Sequence, residues 1–339
     1  MKPHLHPRLL EWWRDDPSDP DRPLLSNKDV QRLIAEIAPE SHATDLGGVM
    51  SLNVRLEPVD MVLRVHQPFV SRQRLLAVQR VRSKLAGKGL LVSVALQQHS
   101  ATVFRCGNRF AELERFIAHK RLEPTLDSYL WLFRTMGTLH HALATLDVTV
   151  PRPLFATYAP PGSLRRWLPV TEAAVQEHPE ASDIARLLRT LMAQLERQWI
   201  PAYQLPQQLI HGDVRLSNVC QTVEGETVYL DFGFLAHRPR IHDLAYSLAF
   251  MFLALHGQQA LESFAWQNVF RLIMEYESTA NSRLTTEERT SLAPSTAAVP
   301  LYAAALSGFS NNPVESLRSR ASFLRLSEWL LAYPEVMLG

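Results

Sequence analysis

The chain has 339 residues, 46% hydrophobic and 20% charged, with 35 Lys and Arg against 34 Asp and Glu and a formal net charge of +1. That balance argues against a nucleic-acid partner held by a clustered basic surplus, and two cysteines, Cys106 and Cys220, exclude a disulfide framework. The length allows a large core divided between two lobes, and the composition is that of a soluble protein expected in the cytoplasm, as monomer or homodimer and without a membrane partner.

Residues 1–25, rich in Pro, Asp and Trp, read as an N-terminal extension, either a flexible lead-in or an arm docking Trp12 and Trp13 on the body. They lack a basic segment followed by an apolar run, so no signal peptide is expected. His4 and His6 are assigned no metal. Ser26, with Asp29 three residues on, is the expected N-cap of a helix carrying Val30, Leu33, Ile34 and Ile37 and ended by Pro39. "LNVRL" and "MVLRV", joined by "EPVD", predict a β-hairpin after the Gly47-Gly48 turn. Residues 71–86 return to a helical, basic pattern, and "LLVSVAL" and "ATVFRCG" follow as two short strands. From about 125 onward the pattern is mainly helical, interrupted by strand-like "QLI" and "VCQTV…TVYL". The most apolar stretch, residues 244–255, is too short to cross a bilayer and reads as a buried helix. The expected fold is α+β and two-lobed, with an N-lobe over 26–117 and a C-lobe over 118–339.

The chemistry concentrates in "HGDVRLSN", residues 211–218, and "DFG", residues 231–233. This pattern, H-G-D-x-x-x-x-N followed by D-F-G, brings together two carboxylates and an amide. Phosphoryl transfer from ATP needs that set: one carboxylate takes the proton of the attacking hydroxyl, while an amide oxygen and a second carboxylate hold Mg²⁺. Mg²⁺ prefers hard oxygen ligands and takes few from protein. Asp213 is accordingly expected as base, Asn218 and Asp231 as metal ligands, and Arg215 as the cation facing the γ-phosphate. No zinc-spaced Cys pair, P-loop or G-x-S-x-G occurs.

"HGDVRLSN", "LDFGF" and "RPRIHDLAYSL" resemble the catalytic loop, metal loop and following helix of the aminoglycoside phosphotransferase and choline kinase family, which has the protein-kinase-like fold. The resemblance implies that Asp243 braces the catalytic loop, although a carboxylate there also suits a helix N-terminus. His211 is read as a scaffold residue of the loop. "DLGGVMSLNVRL" is similar to the family's Gly-rich loop, which implies nucleotide contacts at Gly47 and Gly48; "MVLRVHQP" resembles its third strand and implies a phosphate-contacting cation at Arg64. Glu114, Arg115, Phe116 and Ile117 fall at the interlobe hinge, where backbone groups would meet adenine; the side chains of Glu112 and Glu114 are expected to be solvated. "YESTANSRLTTEERTSLAP" is similar to the C-terminal helices of the type II homoserine kinase branch. The resemblance covers roughly residues 26–330, and only 209–246 is specific.

One departure stands out. The helix that should supply a Glu partner to the phosphate-binding cation, "SRQRLLAVQRVRSKLAGKG", has no acidic residue; Gln79 is its nearest polar candidate. The expected activity is that of an ATP- and Mg²⁺-dependent kinase acting on a small-molecule hydroxyl; the alternative is an inactive nucleotide-binding scaffold on the same fold. No "APE"-like segment follows the D-F-G, which disfavours protein substrates. Homoserine, a choline-type amino alcohol, a sugar and an antibiotic all stay open as acceptors. The mixture of Glu and Arg over 258–339 does not favour a polycation, and Trp266, Tyr276, Phe309 and Trp329 suit either an acceptor pocket or the core.

Overall fold

The computed structural model describes residues 22–48, 50–154, 156–158, 160–256 and 260–338. Trp12 and Trp13 lie outside them. The first helix, α1 (Lys28–Ile37), buries Val30, Leu33, Ile34 and Ile37 on one face. Its N-cap is Asn27 rather than Ser26: the Asn27 side chain accepts the N–H of Asp29 at 2.9 Å.

Strands β1 (His42–Asp45), β2 (Leu52–Glu57) and β3 (Met61–Val65) follow as an antiparallel meander. In β2, Leu52, Val54 and Leu56 point inward and alternate with more exposed residues. Helix α2 (Arg72–Ala86) is N-capped by Ser71. Then come β4 (Leu91–Val92), β5 (Ala95–Leu96), β6 (Phe104–Cys106) and β7 (Arg109–Arg115). The sheet runs β1-β2-β3-β7-β5, with β6 also on β7. "RFAELER", expected as hinge, is therefore largely this sheet's central strand. The β3–β7 register sets Arg64 opposite Glu112.

The remaining elements are mostly helical: α3 (Leu126–Ala144), α4 (Pro161–Val175), α5 (Pro179–Gln198), α6 (Ile241–Leu255), α7 (Gln267–Thr279), α8 (Thr286–Ala305) and α9 (Pro313–Ala332). Between α5 and α6 lie β8 (Gln207–Ile210), β9 (Val219–Gln221), β10 (Thr227–Tyr229) and β11 (Ala236–Pro239). β8 pairs with β11, and β10 pairs antiparallel with β9 and parallel with β4. The stretch Thr286–Phe309 is long and apolar enough to cross a bilayer, yet 72% of its most apolar window is buried inside the fold.

Two cores result. The smaller gathers α1 and the inward face of the β1–β7 sheet. The larger gathers the helical region and also takes Ala77, Val78, Val81 and Leu85 of α2. Helix α2 is thus anchored in the larger core while its polar face looks at β7.

Candidate active site

The loop after β8 is fixed from several sides. Gly212 has φ +83°, and a Cβ there would lie 2.7 Å from the Phe234 carbonyl oxygen, so only glycine fits without displacement. Asp243, in the first turn of α6, accepts the backbone N–H groups of His211 and Gly212 at 2.9 Å each and His140 Nε2 at 3.0 Å. His140 Nδ1 in turn lies 3.0 Å from the Tyr276 hydroxyl. Burial alone would raise the Asp243 carboxyl; the hydrogen bond and charge of His140 outweigh it and hold the group below its ordinary value. His211 is fully buried, with Nε2 2.8 Å from the Leu230 carbonyl oxygen and Nδ1 3.3 Å from the Asp213 N–H, so both ring nitrogens hold backbone. The Ser247 hydroxyl donates to the Val214 carbonyl at 2.7 Å, and the Thr157 hydroxyl donates to that of Gly212.

This frame presents Asp213. Its Oδ2 accepts Arg215 Nη2 at 3.0 Å and Asn218 Nδ2 at 2.7 Å, while Arg215 Nε lies 2.8 Å from Oδ1. Burial pushes the Asp213 carboxyl up, Arg215 pulls it back, and nearby Asp231 adds to the rise; the net shift is upward. Asn218 Nδ2 also donates to the Asp213 carbonyl at 2.8 Å. Its amide oxygen accepts the Ser217 hydroxyl at 3.3 Å and has a second lone pair to offer. Asp231 adopts left-handed backbone angles (φ 56°, ψ 65°) and accepts the Gly233 N–H at 3.3 Å, which closes a tight turn. The oxygen donors of Asn218 and Asp231 fit a hard divalent cation such as Mg²⁺.

Arg64 reaches across from β3 to pair with Asp231, Nη2 to Oδ1 at 2.5 Å. Burial would raise the Asp231 carboxyl, and the Arg64 guanidinium holds it below its ordinary value instead. The missing helix Glu has a counterpart of reversed polarity: α2 supplies the cation, Arg82, and β7 supplies the carboxylates, Glu112 and Glu114, both hydrogen-bonded to it. Glu112 and Glu114 are buried, at 2% and 7% exposure, not solvated, because α2 covers the face of β7 that an alternating pattern would give to water. Gln79 donates to Glu112 Oε2 at 2.9 Å and His66 Nε2 lies 3.0 Å from Oε1. Arg74, in the first turn of α2, donates to the carbonyls of Gly233 at 2.7 Å and Leu235 at 2.9 Å, tying α2 to the D-F-G loop.

Arg64, Arg74, Asp213, Arg215, Asn218 and Asp231 open on one interlobe cleft of about 620 Å³. Of the sequence-predicted residues, Gly48, Arg64, Asp213, Arg215, Asn218 and Asp231 line it. Gly47 and the segment Glu114, Arg115, Phe116, Ile117 are not among its lining residues. The Phe116 N–H donates to the Asp60 carbonyl at 3.0 Å, the Arg115 carbonyl accepts the Ser93 hydroxyl at 3.1 Å, and Arg55 sits 3.8 Å over the Phe116 ring. Sequence reasoning missed Arg74, Arg121, Tyr246, Tyr302 and Arg320, which line the cleft as well. Only Tyr246 lies within a recognised motif, "RPRIHDLAYSL"; the others carry no local signal. Trp266 and Trp329 stack at 6.4 Å away from the cleft, and Tyr276 is fully buried, so these three belong to the core; Phe309 does not line the cleft either.

The profile of the phosphotransferase enzyme family matches residues 44–272. No curated protein matches the chain. Among solved structures, it is similar to a microcompartment-associated aminopropanol kinase, at 16% identity and TM-score 0.70 over 91% of this chain and 98% of that one. It is similar to a choline/ethanolamine kinase family protein from Mesorhizobium loti, at 16% identity and TM-score 0.60 over 92% and 99%. An amicoumacin kinase in complex with AMP-PNP, Ca²⁺ and Ami gives 14% identity and TM-score 0.65 over 92% and 95%. At these identities the likeness shows the fold, which is the two-lobed protein-kinase-like α+β fold. These three names do not speak to the homoserine kinase branch.

Proposed function

This chain belongs to the phosphotransferase enzyme family, and we propose that it is an ATP- and Mg²⁺-dependent kinase that transfers the γ-phosphoryl group to a hydroxyl of a small molecule. The observation that carries this reading is the convergence of Asp213, Asn218, Asp231, Arg215 and Arg64 on one cleft. Asp213 accepts the proton of the acceptor hydroxyl as that oxygen bonds to the γ-phosphorus and the bond to the bridging oxygen of ADP breaks. Its raised carboxyl makes it a better acceptor than an exposed aspartate, and Arg215 opposes that rise. Arg215 and Arg64 offset charge on the phosphate oxygens. Asn218 and Asp231 would hold Mg²⁺, which when bound supplies positive charge against those oxygens.

In this reading residues 26–117 form the nucleotide lobe, with Gly47 and Gly48 over the phosphates and the backbone of Glu114, Arg115, Phe116 and Ile117 beside adenine. Residues 118–339 form the catalytic lobe, and 1–25 are an extension. The protein works in the cytoplasm on small molecules, as monomer or homodimer.

The inactive-scaffold alternative rests on the unusual N-lobe and the absent helix Glu. Asp231 and the nearby carboxylates of Glu112 and Glu114 supply negative charge around Arg64, which weighs against the second of these grounds. The test is to incubate the protein with Mg²⁺-ATP and a panel of hydroxy acids, amino alcohols, sugars and antibiotics, following ADP and phosphate esters by ³¹P NMR. We expect an ester with at least one class. Heat protection by Mg²⁺-ATP with no ester from any acceptor would instead support the scaffold.

A further inference from the structure

The charges lining the cleft are lopsided. Among the described residues around it, the carboxylates are Asp213 and Asp231 alone, against five arginines: Arg64, Arg74, Arg121, Arg215 and Arg320. Both carboxylates are already paired, Asp213 with Arg215 and Asp231 with Arg64. A cationic acceptor would find no carboxylate to receive it. It would also find the aromatic faces next to Asp213 taken, because the Arg215 guanidinium lies 5.1 Å from the Phe250 ring centroid and 6.0 Å from that of Tyr246. Tyr302, the other phenol of this wall, has its ring in edge contact with Trp167 at 5.5 Å.

Arg320 belongs to the same wall. It precedes Phe323 by one turn of α9, and Phe323 packs 6.1 Å from Phe250, the ring under Arg215. Arg320 is exposed and forms no ion pair with any described carboxylate. A guanidinium at the rim of a reaction cleft is suited to bind a carboxylate or phosphate with two parallel hydrogen bonds.

We propose that the acceptor is a net-anionic hydroxy compound, whose carboxylate or phosphate is held by Arg320 while its hydroxyl reaches Asp213 between Tyr246 and Tyr302. The inference rests on the phosphoryl-transfer reading above and names its acceptor class. The hydroxyl oxygen gains the phosphoryl group, its proton passes to Asp213, and ADP leaves, so the product carries a phosphate ester beside the original anionic group. Arg320 acts here as a specificity-determining residue and touches no reacting atom.

The test compares 4-hydroxybutyrate and glycerol 3-phosphate with 3-aminopropanol and choline, so that carboxylate, phosphate and cation are offered at similar reach. With Mg²⁺-ATP we expect kcat/KM for at least one anionic probe to exceed that of 3-aminopropanol by about tenfold to a hundredfold, the range of one charge-assisted contact. Which anion is preferred identifies the source of the charge. Arg320→Gln should raise KM for the anion by about tenfold or more with little change in kcat, and Arg320→Glu should invert the preference. Higher kcat/KM for the cations, or an unchanged anion KM in both variants, would overturn the proposal. If no probe is phosphorylated, the catalytic reading goes back to the wider acceptor panel above. The acceptor class is then decided by calorimetry with AMP-PNP and Mg²⁺: anion binding weakened in Arg320→Glu supports it, and cation binding or no anion binding at millimolar concentration sinks it.

Discussion

Arg215 stands where two demands on Asp213 meet. Burial pushes the Asp213 carboxyl up, and the Arg215 guanidinium at 2.8 and 3.0 Å pulls it part of the way back. In the proposed role of general base Asp213 must be ionised, so turnover should fall as pH drops through that carboxyl's titration. Arg215→Ala removes a lowering influence, which makes Asp213 titrate at higher pH and moves the acid limb of kcat upward. In the proposed reaction it also removes positive charge facing the γ-phosphate, which should lower kcat roughly a hundredfold while ATP affinity changes less. Steady-state kinetics across about pH 5 to 9 check this. An acid limb left in place, with equal losses of kcat and affinity, would contradict it. At this scale the sequence was informative, because Asp213, Arg215 and Asn218 lie within one loop whose spacing is itself the signal. Their supports were not legible: His140 braces Asp243 from 103 positions away, and no local pattern marks which of two adjacent histidines on α3 faces inward.

At the scale of elements, the contact between α2 and β7 departs most from expectation. Glu112 and Glu114 alternate with inward Ala111 and Leu113, a pattern that predicts one wet face. Helix α2 covers that face, and Arg82, 4% exposed, makes the pairing tolerable. Arg82→Met would strand two buried carboxylates and should cost about 3–5 kcal/mol of stability near neutral pH. Burial alone would raise the Glu112 carboxyl, but Arg82, His66 and Gln79 hold it far below the ordinary range. Its stabilising contribution is therefore full above the unfolded carboxylate pKa and lost as pH falls toward the folded one. In the variant that contribution is absent, so the gap between the two proteins should narrow as pH drops below about 4. Urea unfolding at neutral and acidic pH measures it, and a gap independent of pH would count against the buried pair. The hairpin of β2 and β3 and helices α1, α2, α3 and α6 were readable from periodicity. β11 was not, since "AHRP" is short and polar, and Pro169 inside α4 hid a helix.

For the whole molecule, the two-lobed arrangement follows from where apolar faces are buried. The sheet and α1 make one core, the helices make another, and the reactive groups gather where the two meet. The family was legible in residues 209–246, and the cleft's wall was not, because Tyr246, Tyr302 and Arg320 come from three helices and meet only in the folded chain. The central claim is that Asp213 serves a phosphoryl transfer in that cleft. Its most direct test is γ-phosphoryl transfer from labelled ATP to an accepted hydroxyl compound by the wild type and by Asp213→Ala, with thermal unfolding and Mg²⁺-ATP binding measured on both. Transfer should fall by about 10² to 10⁴-fold in the variant while folding and nucleotide binding persist. Turnover at the wild-type rate in a folded Asp213→Ala protein would contradict the account.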